Sequence, residues 1–129
     1  AVFGQKVMLG GTGVEASVLS PGEDWPQQAD GEEVADFTVQ CLKSAVPAAL
    51  PGIVFLSGGQ SDDDATAHLN EMNKAENLPW PLSFSYGRAM QSAALKIWGA
   101  DIANNFAEAQ KTVYARAKDN GLAAKGEWQ

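Results

Sequence analysis

The sequence predicts an α/β fold built on a parallel sheet, and three observations carry that prediction. Ile53-Val54-Phe55-Leu56 is apolar at every position, the pattern of a strand covered on both faces. Glycine turns follow both this run and Leu82-Ser83-Phe84, and each turn opens a stretch with helical apolar spacing. The resulting order of strand, helix, strand, helix, strand, helix, helix is that of right-handed βαβ units.

Each element has a local cause. Lys6-Val7-Met8-Leu9 is a short apolar run ended by Gly10-Gly11-Thr12-Gly13, so a first strand is expected over 6–9. Ser20-Pro21-Gly22 and Trp25-Pro26 mark a loop. Val34, Phe37, Thr38, Cys41 and Leu42 then recur at helical spacing, with acids in the first turn and Lys43 in the last, as a helix dipole prefers. This helix should stop before Pro47. Pro51-Gly52 opens the second strand, 53–56. Ser61, with Asp64 three residues on, resembles a capping box at the start of a helix whose apolar stripe includes Ala65, Leu69 and Met72. The stretch from Asn77 to Pro81 breaks that helix before a third strand at 82–84. Ala89 to Trp98 should be helical, and a last helix is expected from about Ala103 to Asn120, stopped by Gly121.

Composition narrows the functions. The 129 residues, 45% hydrophobic and 19% charged, suit one compact soluble unit. A closed eight-stranded (β/α) barrel takes about 250 residues, so this chain cannot close one alone. Sixteen acids against nine bases give a formal charge of −7, which would repel a nucleic acid backbone. Glu15 to Asp36 holds seven acids and no base, whereas six of the nine bases lie from Arg88 onward, so an anion site belongs in the second half. One cysteine and one histidine exclude an intrachain disulfide and a Cys/His metal cluster, and the lone thiol suits a cytoplasmic location. No apolar run reaches the roughly 20 residues a membrane span needs, and the first six residues do not form a signal peptide.

Three segments could carry chemistry. Gly10-Gly11-Thr12-Gly13-Val14-Glu15-Ala16 scans as a relaxed dinucleotide fingerprint, but Ser20-Pro21-Gly22 arrives too soon for the full helix a pyrophosphate needs. Ser57-Gly58-Gly59-Gln60-Ser61 can turn backbone N–H groups toward one point, either as an anion cradle or as an ordinary strand-to-helix turn. Asp62, Asp63 and Asp64 would oppose a phosphate there unless they face solvent and cap the helix. Ser85-Tyr86-Gly87-Arg88 repeats the arrangement and adds a guanidinium suited to bidentate phosphate contact. In (β/α) barrels the loops after strands seven and eight often bind phosphate. Trp80, Trp98, Trp128, Met72, Met90 and Cys41 read as packing residues, and His68 has no serine and carboxylate around it for catalysis.

Val46-Pro47-Ala48, Pro51 to Ser61, Leu69-Asn70-Glu71-Met72-Asn73-Lys74, Phe84-Ser85-Tyr86-Gly87-Arg88-Ala89 and Ala94-Leu95-Lys96-Ile97-Trp98-Gly99 together resemble the C-terminal portion of class I fructose-1,6-bisphosphate aldolases. The resemblance implies a segment of a (β/α)8 TIM barrel spanning 1–129, with its strands as the sixth, seventh and eighth. It implies reversible cleavage of fructose 1,6-bisphosphate, a glycolytic reaction, to dihydroxyacetone phosphate and glyceraldehyde 3-phosphate. That chemistry runs through a lysine Schiff base, without metal or other cofactor. Ser57 and Gly58, joined by Ser85, Gly87 and Arg88, would bind a phosphate of the sugar substrate.

One position departs from the family pattern. The family's sixth strand carries the Schiff-base lysine where this chain has Glu15, and a carboxylate cannot form an imine with a ketone. The earlier strands that supply further acid, base and lysine groups are absent from this chain. The expectation is therefore an inactive chain by itself, with self-association or pairing to the remaining barrel portion through its open sheet edges. The alternative is a non-catalytic barrel fragment that binds a phosphate ligand or a partner.

Overall fold

A computed structural model describes residues 3–22, 24 and 26–129. Trp25, expected in a loop, lies outside the described residues. The elements are β1 (Val14–Ala16), α1 (Gly31–Ala45), β2 (Ile53–Phe55), α2 (Asp62–Lys74), β3 (Leu82–Phe84), α3 (Arg88–Ala100) and α4 (Phe106–Ala123). The three strands form one parallel sheet in the order β1-β2-β3. Register aligns Glu15 with Val54 and Ser83, and Ala16 with Phe55 and Phe84.

The strand expected over 6–9 is not formed. Lys6 takes φ 55, and the Met8 and Leu9 carbonyls accept from the Gly11 and Thr12 N–H groups at 3.1 Å, so local turns use the polar groups a ladder would need. Val7 and Met8 are exposed. The strand lies instead at Val14–Ala16, after the glycines, where β2 supplies a partner. Its position also removes the dinucleotide reading, because the glycine-rich loop leads into a strand, where a pyrophosphate needs the start of a helix.

Strands β2 and β3 fall where expected, although β2 ends at Phe55. Ile53, Phe55 and Leu82 are buried against the helices together with Leu69, Met72 and Trp80. The expected coverage of both faces does not hold. Strand side chains alternate, and on the second face Glu15 is exposed and Val54 and Ser83 are half-buried.

Asp30 caps α1 in a reciprocal capping box with Glu33, and the helix ends at Ala45, ahead of Pro47. It buries Val34, Ala35, Thr38, Val39 and Leu42. Phe37 and Cys41, expected on that face, are exposed because the buried arc is centred between 35 and 38 and both fall outside it. Ser61 caps α2 by accepting from the Asp64 N–H, as its sequence indicates.

The last helix starts and ends later than expected. The Asp101 carboxylate accepts from the N–H groups of Ala103 and Asn104, holding a separate turn before α4. Gly121 lies within α4, and the turn that follows contains Gly126 at φ 70. A Cβ at Gly126 would stand 3.1 Å from the Asn73 carbonyl oxygen, so both conformation and space require glycine. Just beyond, the Trp128 N–H donates to Asn70 Oδ1 at 2.9 Å, and Asn70 Nδ2 donates back to the Trp128 carbonyl at 3.1 Å. Trp80 and Met72 are core, and Met90 and Trp128 pack partly against it. Trp98 departs from its expected burial, since it is 41% exposed and meets Phe106 edge-on at a centroid distance of 6.5 Å.

Candidate functional site

Three parallel strands end side by side, which brings their following loops together. The ladder continues past each strand: the Leu56 N–H donates to the Ala16 carbonyl and the Ser85 N–H to the Phe55 carbonyl, both at 2.8 Å. In the loop after β2, the Gln60 N–H closes a turn onto the Ser57 carbonyl at 3.3 Å, and Gly59 takes φ 78, a conformation suited to glycine.

The two expected phosphate loops meet. Arg88 Nη2 lies 3.7 Å from where a Cβ on Gly58 would stand, which puts the guanidinium in van der Waals reach of this loop. The buried Ser57 hydroxyl accepts from the Ala89 N–H at 3.5 Å, linking the β2 loop to the first turn of α3. Gly58, Ser85, Gly87 and Arg88 are exposed around this junction. Glu15 lies one register row back from the strand ends, on the sheet face opposite the helices.

The two helix starts differ in charge and in capping. Ser61 closes α2, whose first turn holds Asp62, Asp63 and Asp64. Asp64 Oδ2 accepts from the Ser61 hydroxyl at 2.6 Å, so Asp64 joins the cap, whereas Asp63 pairs with Arg116. In contrast, α3 has Gly87 at its cap, no capping side chain and no acid in its first turn. The α3 start, with Arg88 beside it, therefore presents a helix N-terminus with no carboxylate in its first turn to oppose an anion, and its Ala89 N–H is held by the Ser57 hydroxyl.

Two residues fix this geometry that the sequence did not single out. The buried Tyr86 hydroxyl donates to the Ala65 carbonyl at 2.7 Å, tying the β3 loop to α2, and its burial pushes the phenol pKa well up. Arg116 of α4 is buried and donates to groups at the starts of α2 and α3. Its one sequence signal is spacing: Ala109, Arg116, Asn120 and Ala123, the buried residues of α4, fall on one helical stripe.

His68 sits beside, rather than in, this junction. It lines a cleft of about 760 Å³ with Asp30, Gly31, Gln60 and Asp64, and its Nδ1 lies 2.8 Å from Gln60 Oε1. Burial lowers its pKa below 6.5, partly offset by the Asp64 charge. The unfolded chain therefore holds a proton that the folded chain releases, and the stabilisation is present above pH 6.5 and lost as pH falls through the folded pKa. Urea midpoints at pH 7.5 and 5 should show a smaller loss in H68Q than in the parent. Equal losses would remove His68 as a source of acid sensitivity.

Parallel strands with glycine loops at their carboxyl ends, each leading into a helix, define a segment of a (β/α) barrel. Structural comparison agrees. The aldolase of Plasmodium falciparum, solved in complex with TRAP and a small-molecule inhibitor, superposes at a TM-score of 0.91 with 38% identity, over 96% of this chain and 35% of that one. The model of the family "Glycolytic: Fructose-bisphosphate aldolase class-I" matches residues 1–129, and the chain belongs to that family. It is 62% identical over 129 residues to a probable class 1 fructose-bisphosphate aldolase of Xanthomonas axonopodis pv. citri, and 63% identical to one of Xylella fastidiosa strain 9a5c. All of this chain and 39% of each of those relatives are covered, so the chain spans about two fifths of their length. No helix among the described residues is long and apolar enough to cross a membrane.

Proposed function

We propose that this chain supplies the sugar-phosphate side of a class I aldolase site as a single partial barrel segment over 1–129. The observation that carries the reading is the approach of Arg88 to Gly58, which joins two glycine loops at one point. Ser57, Gly58, Ser85, Gly87 and Arg88 hold one phosphate of fructose 1,6-bisphosphate: the guanidinium offers a paired fork of donors and the α3 start adds backbone N–H groups. The chain alone does not cleave the sugar. Glu15 occupies the position of the imine-forming lysine, and its carboxylate has no nitrogen with which to condense with the ketone.

Pairing with the rest of a barrel follows from the same reading. β1 and β3 are the outer strands of the sheet, and Leu95, Trp98, Ile102, Phe106 and Tyr114 expose apolar surface on and around α3 and α4. Self-association meets the same need when no other barrel portion is present. The cytoplasm is the proposed location, supported by the free, exposed Cys41 thiol.

Borohydride reduction with fructose 1,6-bisphosphate present tests the catalytic half of the reading. The expected result is an unchanged chain mass by mass spectrometry. A mass increase matching a reduced sugar-phosphate adduct on this chain would show that another amine replaces the missing lysine, and would overturn the assignment of Glu15. An unchanged mass together with thermal protection by the sugar phosphate is the signature of the non-catalytic binding alternative, which the exposed Glu15 favours for the chain alone.

A further inference from the structure

Arg116 is separated from the phosphate loops by most of α3 and α4 in sequence, yet its contacts end at both of them. Its Nε donates to the Ala89 carbonyl at 3.0 Å, in the first turn of α3. Its Nη2 donates to the Asp62 carbonyl, the first residue of α2, and to the Thr66 hydroxyl at 2.7 Å. Its Nη1 meets Asp63 Oδ1 at 3.0 Å. One planar cation thus grips the first turns of the two helices that follow Gly58 and Gly87.

The environment makes this grip rigid. The Arg116 side chain is 10% exposed, whereas Asp63 is 85% exposed, so the ion pair itself is largely solvated and the buried part of the grip is the bonding to the Asp62 and Ala89 carbonyls and to Thr66. Asn120, one turn further along α4, accepts from the Thr66 hydroxyl at 2.9 Å and donates to the Arg116 carbonyl at 2.9 Å. Guanidinium donors lie in a fixed fork, so moving either helix start would break a bond that cannot re-form by rotation of a flexible stem. Lysine, a point charge with no fork, could not hold both carbonyls in one geometry.

We propose that Arg116 is a positioning residue for the anion site: it sets the distance between the Ser57-Gly58 loop and Arg88 by clamping the starts of α2 and α3. Arg116 touches no ligand itself. Its positive charge is spent on Asp63 and on buried carbonyls, and its effect on a phosphate passes through the placement of Gly58 and Arg88. This inference rests on the reading that these loops bind phosphate, so its test needs one readout that does not require a ligand.

The variants are R116K and, as a milder change should R116K fail to fold, T66V. Binding of fructose 1,6-bisphosphate and of inorganic phosphate is measured by calorimetry, and the amide signals of Gly58 and Gly87 are followed by NMR in the free protein. The expected result for a folded variant is affinity weakened by about tenfold or more, as displaced binding groups produce. Both glycine amides should shift without ligand, and R88A added to R116K should cost much less than R88A alone. Parental affinity and unmoved glycine signals in a folded variant would overturn the proposal. Parent protein that binds neither phosphate would overturn the site reading instead, and the glycine signals would still decide whether Arg116 sets the loop geometry.

Discussion

Replacing Arg88 with alanine is expected to erase the thermal protection that fructose 1,6-bisphosphate gives the protein. The guanidinium is a cationic side chain placed at the meeting of the two glycine loops, and it neutralises charge that backbone N–H groups can only orient. A hydrogen bond to a charged group contributes about 1.5–3 kcal/mol, so its loss should weaken affinity by roughly ten- to a hundredfold. Ligand stabilisation grows as the logarithm of one plus ligand concentration over Kd, so at a ligand concentration near the parental Kd a tenfold loss of affinity is enough to flatten the shift in melting temperature. Arg88 is exposed and lies at a helix start, where a positive charge opposes the dipole, so the ligand-free variant should melt at or slightly above the parent temperature. Full protection in R88A would place the phosphate elsewhere.

The second large effect is on the fold. Phe55 is completely buried in the central strand, and Phe55→Ala should cost about 3–5 kcal/mol through lost burial and the cavity left behind. Domains are stable by only about 5–15 kcal/mol, so the variant should unfold at a much lower urea concentration and populate the unfolded state at ordinary temperatures. V54A, at the neighbouring half-buried position on the other sheet face, is the control. It should lose much less for as long as that face has no covering layer. A V54A loss as large as that of F55A would show that the second face is buried in solution, as it would be against another barrel portion or a second copy.

Local chemistry made much of this fold legible in the sequence. Ser61 and Asp64 announce the start of α2 because a capping hydroxyl acts over three residues, and Pro47 limits α1 by the same kind of near-neighbour effect. The strand at Ile53 was readable from an unbroken apolar run, and the one at Leu82 from a short Leu-Ser-Phe segment, each ahead of a glycine turn. The first strand was not, because Val7-Met8-Leu9 has the stronger apolar run while Val14-Glu15-Ala16 has the neighbour. Pairing with β2 outweighed composition. Exposure of Phe37 and Cys41 was hidden for a similar reason, since only the packing of α1 against the core decides which arc of an amphipathic helix is its centre.

The candidate site divides in the same way. Its glycine loops and Arg88 are contiguous motifs and stood out in the sequence. Tyr86 and Arg116 did not, because their meaning lies in partners 21 residues away for Tyr86 and 27 to 54 residues away for Arg116. Nothing within Ala115-Arg116-Ala117 distinguishes a clamp from an ordinary surface arginine.

The reciprocal bonds between Asn70 and Trp128 carry a consequence for how the protein is made. A ribosome adding about 5–20 residues per second needs on the order of 3 to 12 seconds to pass from one partner to the other. Through that interval the nascent α2 lacks the Trp128 backbone partners of a side chain that is 2% exposed in the finished fold. Water must serve in their place, so α2 stays loosely docked and within reach of chaperones and proteases until residue 128 emerges. Slowing translation between codons 70 and 128 should lengthen that vulnerable period and leave the finished molecule unchanged.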